Sequence, residues 1–288
     1  MRKALARTRV AASGAAAAFA VSSLIALSGC GVQPQSSAVP RLQAAAAAAQ
    51  PGAAAADPGT AGSRILNSAN GRLEAVVPDI SRTVLLIGDS QSEPSDGWPR
   101  QGLEAAGYKV YYCGRGGTGF VAANGSTGNY IDALSRGDWL LPSGTPALIV
   151  IQGGGNDAAS GASDSRIAGN AERLIAELEA RYPGTRIAMI GTLARGEGNG
   201  GGRRTEVDGL LGSVAAGHNL PFISVGDWLT RYGLAKDLAD AVHMNPKGRS
   251  ALGTLLERRL RDLGLERKPA ADQPPALAAG SGTDSFQD

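Results

Sequence analysis

Five short, almost wholly apolar runs punctuate the middle of the chain: Thr83 to Ile87, Lys109 to Cys113, Ala147 to Gln152, Arg186 to Ile190 and Phe222 to Val225. They are rich in β-branched and aliphatic residues and do not alternate with polar positions, as strands buried on both faces of a parallel sheet require. Amphipathic stretches separate them. Gly97 to Ala106, Asp164 to Arg181 and Arg203 to His218 read as helices, and Pro246 to Leu263 closes the pattern. In the second, Ile167, Ala171, Leu174, Ile175 and Leu178 fall on one helical stripe. This alternation predicts an α/β protein, a three-layer α/β/α sandwich doubly wound around a parallel sheet of about five strands. Ligands of such sheets bind outside the carboxyl ends of the strands.

The periodic pattern covers residues 76–266, the length of one domain. Upstream, Gly31 to about Gly62 is low-complexity Gln, Ser, Pro, Gly and Ala, and residues 30–75 are expected to form a tether. Residues 267–288 repeat that composition and predict a disordered tail. The first 29 residues have the form of a signal peptide: Arg2, Lys3, Arg7 and Arg9 precede an Ala-rich apolar stretch ending in Leu27-Ser28-Gly29-Cys30. A membrane-spanning anchor fits less well, because four serines and a glycine interrupt the run from Val10 to Ser28. Leu-Ser-Gly-Cys resembles the lipobox of bacterial lipoproteins, which implies that Cys30 is lipidated and becomes the first residue. Two acyl chains would hold such a protein on the membrane without spanning it. The expected location is the outer side of the cytoplasmic membrane.

Without that leader the formal charge changes from +2 to −2, since it carries four positive charges and no negative one. The basic balance therefore does not indicate a nucleic-acid partner, and no Lys/Arg cluster with interleaved aromatics appears elsewhere. Cys113 is the only cysteine besides Cys30, and the chain has two histidines, so neither an intramolecular disulfide nor a dedicated metal site is expected. No cofactor is expected either, and the domain is expected to be a monomer.

Three short motifs stand where such sheets bind ligands. Gly88-Asp89-Ser90 ends the first strand, Gly155-Asn156-Asp157 follows the third through a run of glycines, and Asp240-Ala241-Val242-His243 precedes the last helix. Together they offer a nucleophilic hydroxyl, an amide for a developing oxyanion, and an imidazole with a carboxylate to orient it. Each has a plainer reading alone. Ser90 could cap a helix, Asn156 could form an Asx-turn, and Asp89 reads as a turn-stabilising residue. His218 sits at a helix end and reads as structural, which makes His243 the discriminating position. Asp240, three residues before it, is preferred over Asp237 as its partner.

At these residues the chain resembles the SGNH hydrolases, also called GDSL esterases and lipases. That resemblance covers residues 76–266 and implies a flavodoxin-like layering, Ser90 as nucleophile, and Asp240 with His243 completing the triad. It implies an oxyanion hole of the Ser90 N–H, the Asn156 amide and a loop glycine. Aligning the family's Asn-x-Gly-x-x-Gly with Gly114 to Gly119 makes Gly119 that donor and Gly116 a close-packing residue. Gly114 departs from the usual asparagine, and Gln91 from the leucine that usually follows the serine. The same glycines spell a dinucleotide-binding fingerprint, but Phe120 to Asn129 is rich in loop formers where that motif needs a helix. No Gly-x-Ser-x-Gly elbow of an α/β-hydrolase occurs.

The expected activity is that of a serine esterase acting on a small ester or an O-acylated glycan. The alternative is a silent envelope lipoprotein that binds a wall glycan or a partner. Trp98, Arg115 and Trp139 could line the site or pack in the core or at its rim, and the Gly196 to Gly202 loop could border the pocket but reads first as a flexible surface turn.

Overall fold

The computed structural model describes residues 63–267. The leader, Cys30, the tether as far as residue 62 and residues 268–288 lie outside the described residues. Folded structure begins before residue 76, in a hairpin of β1 (Arg64–Asn67) and β2 (Arg72–Ala75). Buried Glu74 secures it through an ion pair with Arg181 at 2.9 Å. The hairpin was illegible in the sequence because its apolar positions face outward, with Leu66 and Leu73 exposed.

The main sheet contains β3 (Thr83–Gly88), β4 (Lys109–Gly114), β5 (Leu148–Gln152), β6 (Ile187–Ile190) and β7 (Phe222–Ile223). They are parallel throughout, in the order β4-β3-β5-β6-β7. Every residue of β3, β5 and β6 is buried, which explains their unbroken apolar sequences.

Successive side chains of each strand serve opposite layers. Leu85, Ile87, Ile149, Ile151 and Met189 pack with α2 (Tyr130–Arg136), α4 (Asp164–Arg181) and α5 (Gly202–Gly217). Their neighbours Val84, Leu86, Val150 and Ile190 pack with α1 (Trp98–Ala105), α6 (Trp228–Arg231) and α7 (Pro246–Asp262). Each fully buried side chain of this kind contributes roughly 1.5–3 kcal/mol. The stripe read in α4 is buried throughout. On the other side, α1 and α7 approach closely because a Cβ on Gly102 would lie 2.7 Å from Leu256. The result is the expected three-layer α/β/α sandwich.

Strand order reverses between β3 and β5, so the segments leaving their carboxyl ends diverge and open a crevice. Ser90 follows β3 and Asn156 lies in α3 (Gly155–Ala159), just after β5. Both therefore stand at the switch point. His218 caps α5 before β7 begins, where its N–H bonds the Val214 carbonyl, and so lies at the amino edge.

Candidate active site

After β3 the chain folds into a tight turn rather than a helix. The Asp89 carbonyl accepts from the Ser92 and Glu93 amides, and the buried Asp89 carboxylate accepts from Gln91 N–H at 2.9 Å. Burial pushes the Asp89 carboxyl above its ordinary value, against the lowering effect of that amide. The next helix, α1, begins at Trp98 with Gly97 as its cap, so Ser90 caps nothing. Its side chain is half-buried at the sheet edge.

The segment before α7 brings the histidine to this serine. Ala239 N–H donates to the His243 carbonyl and Asn245 N–H to the Asp237 carbonyl, closing a compact loop. Pro246 then opens α7, with the Asn245 side chain accepting from Gly248 N–H. Within the loop, Asp240 Oδ1 accepts the Val242 and His243 amides at 2.8 and 2.7 Å, and Oδ2 lies 2.8 Å from His243 Nδ1. The two backbone amides, and then the imidazole, hold the Asp240 carboxyl well below the usual carboxylate range. His243 Nε2 lies 2.8 Å from Ser90 Oγ. With carboxylate at Nδ1, the hydrogen-bond pattern assigns the imidazole proton to Nδ1 and leaves the Nε2 lone pair for the serine hydroxyl. Asp237 is buried and faces Lys247 at 3.8 Å.

The oxyanion side is built from distant pieces. Gly154, with φ 100°, turns the chain out of β5 into α3. Asn156 Nδ2 donates to the Thr118 carbonyl at 2.9 Å and has a second N–H to offer. Beside it, buried Asp157 accepts from the backbone amides of Phe120, Val121 and Ala122 at 2.7–2.9 Å. This one carboxylate shapes the loop that follows β4.

That loop differs from its expected assignment. Gly119 N–H donates to the Ala122 carbonyl at 2.9 Å, and a Cβ there would lie 2.4 Å from the Asp157 carboxylate. Gly119 is therefore the close-packing glycine, its amide spent within the loop. Gly116 and Gly117 occupy the turn from Arg115 to Thr118, with Gly117 at φ 80°. A Cβ on Gly116 would stand 3.4 Å from Ser90 Cβ, but its amide is bonded to Glu93 at 3.1 Å. The amides of Gly117 and Ser90 have no hydrogen-bond partner among the described residues. No motif spacing marks Gly117; the only signal was its place in a glycine cluster.

Gly114 has a packing reason for lacking a side chain. A Cβ there would lie 2.0 Å from the Gly88 carbonyl, toward which the Tyr112 hydroxyl donates at 3.1 Å. Gln91 joins the nucleophile turn to the loop before α7 and to α1. Its Nε2 donates to the Val242 carbonyl at 2.9 Å, while Trp98 Nε1 donates to its Oε1 at 3.1 Å. Trp98 and Trp139 are buried in the core instead of lining a pocket. Among the described residues, no group of three or more His, Cys, Asp or Glu side chains is arranged to hold a metal ion.

Residues 86–251 match the sequence model of the GDSL-like Lipase/Acylhydrolase family. No curated protein matches the chain. Among solved structures, a carbohydrate esterase family 2 enzyme from Corynascus thermopiles (Myceliophthora fergusii) is 15% identical at TM-score 0.50, over 68% of this chain and 70% of that one. A carbohydrate acetylesterase from Sinorhizobium meliloti is 18% identical at TM-score 0.47, over 63% and 99%. The M. Smegmatis aryl esterase is 17% identical at TM-score 0.45, over 63% and 99%. At these identities the likeness is one of fold. The family match spans more than half the chain and all three motifs; this protein belongs to the GDSL-like lipase/acylhydrolase family and is a serine ester hydrolase.

Proposed function

We propose that Ser90, His243 and Asp240 are the catalytic triad of an esterase acting on short acyl groups. The observation carrying this reading is the unbroken line from Ser90 Oγ through the imidazole to Asp240, with both links 2.8 Å long. His243 Nε2 takes the Ser90 proton as Oγ attacks the ester carbonyl. The proton then passes to the leaving alcohol, and water repeats the sequence on the acyl-enzyme. Asp240, itself held by two amides, fixes the tautomer and stabilises the imidazolium. The oxyanion is held by Ser90 N–H, Asn156 Nδ2 and Gly117 N–H, which replaces Gly119 because the latter's amide is already paired.

The substrate is a small ester or an O-acyl group on a cell-envelope glycan. Supporting the second form is the lipobox-like Leu27 to Cys30, which would tether residues 63–267 outside the cytoplasmic membrane through residues 30–62. The carbohydrate esterases of related fold are consistent with a glycan ester.

The test is para-nitrophenyl acetate hydrolysis by the full chain and its Ser90→Ala variant, with fluorophosphonate labelling alongside. Turnover and labelling that vanish together in the variant are expected. Equal rates and no labelling in the parent would instead identify a binding protein.

A further inference from the structure

A cleft of about 790 Å³ adjoins the proposed oxyanion site and shares Gly117 and Asn156 with it. Val121 and Ala122 from the loop after β4 form one wall, and residues 159–163, from the end of α3 to the start of α4, form much of the other. Nearly all of these side chains are small and uncharged. The exception is Arg166, in the first turn of α4, exposed to solvent and the only charged residue lining the cleft among the described residues.

The Arg166 guanidinium makes no hydrogen bond or ion pair among the described residues. The positions three and four away along α4 and its lead-in are Ala162, Ser163, Gly169 and Asn170, none of them acidic. Asp164, in the same turn, is paired with Arg203, and Asp157 is spent on three loop amides. Glu93, the carboxylate beside the nucleophile turn, holds Gly116 and does not line the cleft.

Position also decides which half of an ester would enter. The leaving alcohol must face His243 to receive its proton, whereas the cleft contains no residue of the His243 loop and borders the oxyanion donors. We infer that this cleft is an acyl subsite, and that Arg166 selects acyl groups ending in a carboxylate, the half-esters of short dicarboxylic acids. The inference rests on the triad proposed above. Hydrolysis breaks the acyl C–O bond and adds water, releasing the alcohol and a dicarboxylate. An acetyl group would react in the same site without reaching Arg166.

The test compares para-nitrophenyl hydrogen adipate with the hexanoate ester of equal chain length, in the parent, Arg166→Ala and Arg166→Lys. Acetate hydrolysis is the control. The parent is expected to favour the adipate about threefold in kcat/KM, chiefly through KM, the size expected of an ion pair to a solvent-exposed arginine. Arg166→Ala should abolish that preference and leave acetate unchanged, Arg166→Lys should retain part of it, and salt should weaken it. An identical adipate-to-hexanoate ratio in parent and Arg166→Ala would overturn the assignment. So would an Arg166-dependent preference confined to an anionic alcohol, probed with acetoxybenzoate. Calorimetric binding of monomethyl adipate to Ser90→Ala, with and without Arg166→Ala, tests the subsite even if acetate proves not to be a substrate. About threefold weaker binding without Arg166 is expected, and equal binding would refute the subsite.

Discussion

The two flanks of Ser90 are built on opposite principles. On the base side, Asp240 and His243 are partly exposed and three residues apart, and their loop closes on itself between Asp237 and Asn245. On the oxyanion side, the loop after β4 is held by a buried carboxylate of α3, thirty-five or more residues along the chain. Three glycines, Gly114, Gly116 and Gly119, let that loop pack against Gly88, Ser90 and Asp157. The base side is thus a local device on the surface. Its counterpart is a product of tertiary packing, so changes there should cost stability and activity together.

Mutation can separate these two designs. His243→Ala should have the largest effect, lowering turnover by about 10⁴-fold or more, comparably to Ser90→Ala, because the triad acts as a unit. Its melting temperature should stay near the parent's, since the side chain is partly exposed. Asp157→Ala should behave in the opposite way. Three amides lose their acceptor at a cost of about 1–3 kcal/mol for each one left buried, so denaturant unfolding should show a loss of several kcal/mol along with reduced turnover. An Asp157→Ala protein of parental stability would contradict the packing account of this flank.

Asn156→Ala should lower kcat by about a hundredfold or more, as the loss of one oxyanion donor does, with a smaller effect on KM. Gln91→Leu would sever the link between the nucleophile turn and the base-side loop while keeping the apolar volume. We expect kcat to fall about tenfold, near 1.4 kcal/mol, with KM little changed. Equal loss in KM would mean that Gln91 serves substrate binding instead. The smallest effect is electrostatic. Because the Asp240 pKa is depressed, its contribution to stability is present above the unfolded-state value and disappears as pH falls through the lower folded-state value. A carboxyl NMR titration should place its midpoint below that of ordinary aspartate. His243→Ala should leave most of the shift, since the Val242 and His243 amides are its leading cause and survive the substitution.

Much of this molecule was legible in its sequence. Strands buried on both faces must be continuously apolar, and a helix lying on a sheet must carry a stripe, so β3, β5, β6 and α4 could be read almost to their ends. The spacing of Asp240 and His243 was equally readable, because three residues suffice to bring a carboxylate back to an imidazole. Only the tertiary structure decided which of two glycines keeps its amide free of the loop's own hydrogen bonds. Gly117 and Gly119 are chemically identical, and they differ in what surrounds them. Asp157 fills the space beside Gly119, and the Ala122 carbonyl takes its amide, while the Gly117 amide has no partner among the described residues. The same holds for Gln91, whose partners Val242 and Trp98 meet only when α1 and the loop before α7 pack on one face of the sheet. Local order follows from residue type and spacing, but a buried polar group's partner depends on which distant segments the fold brings together.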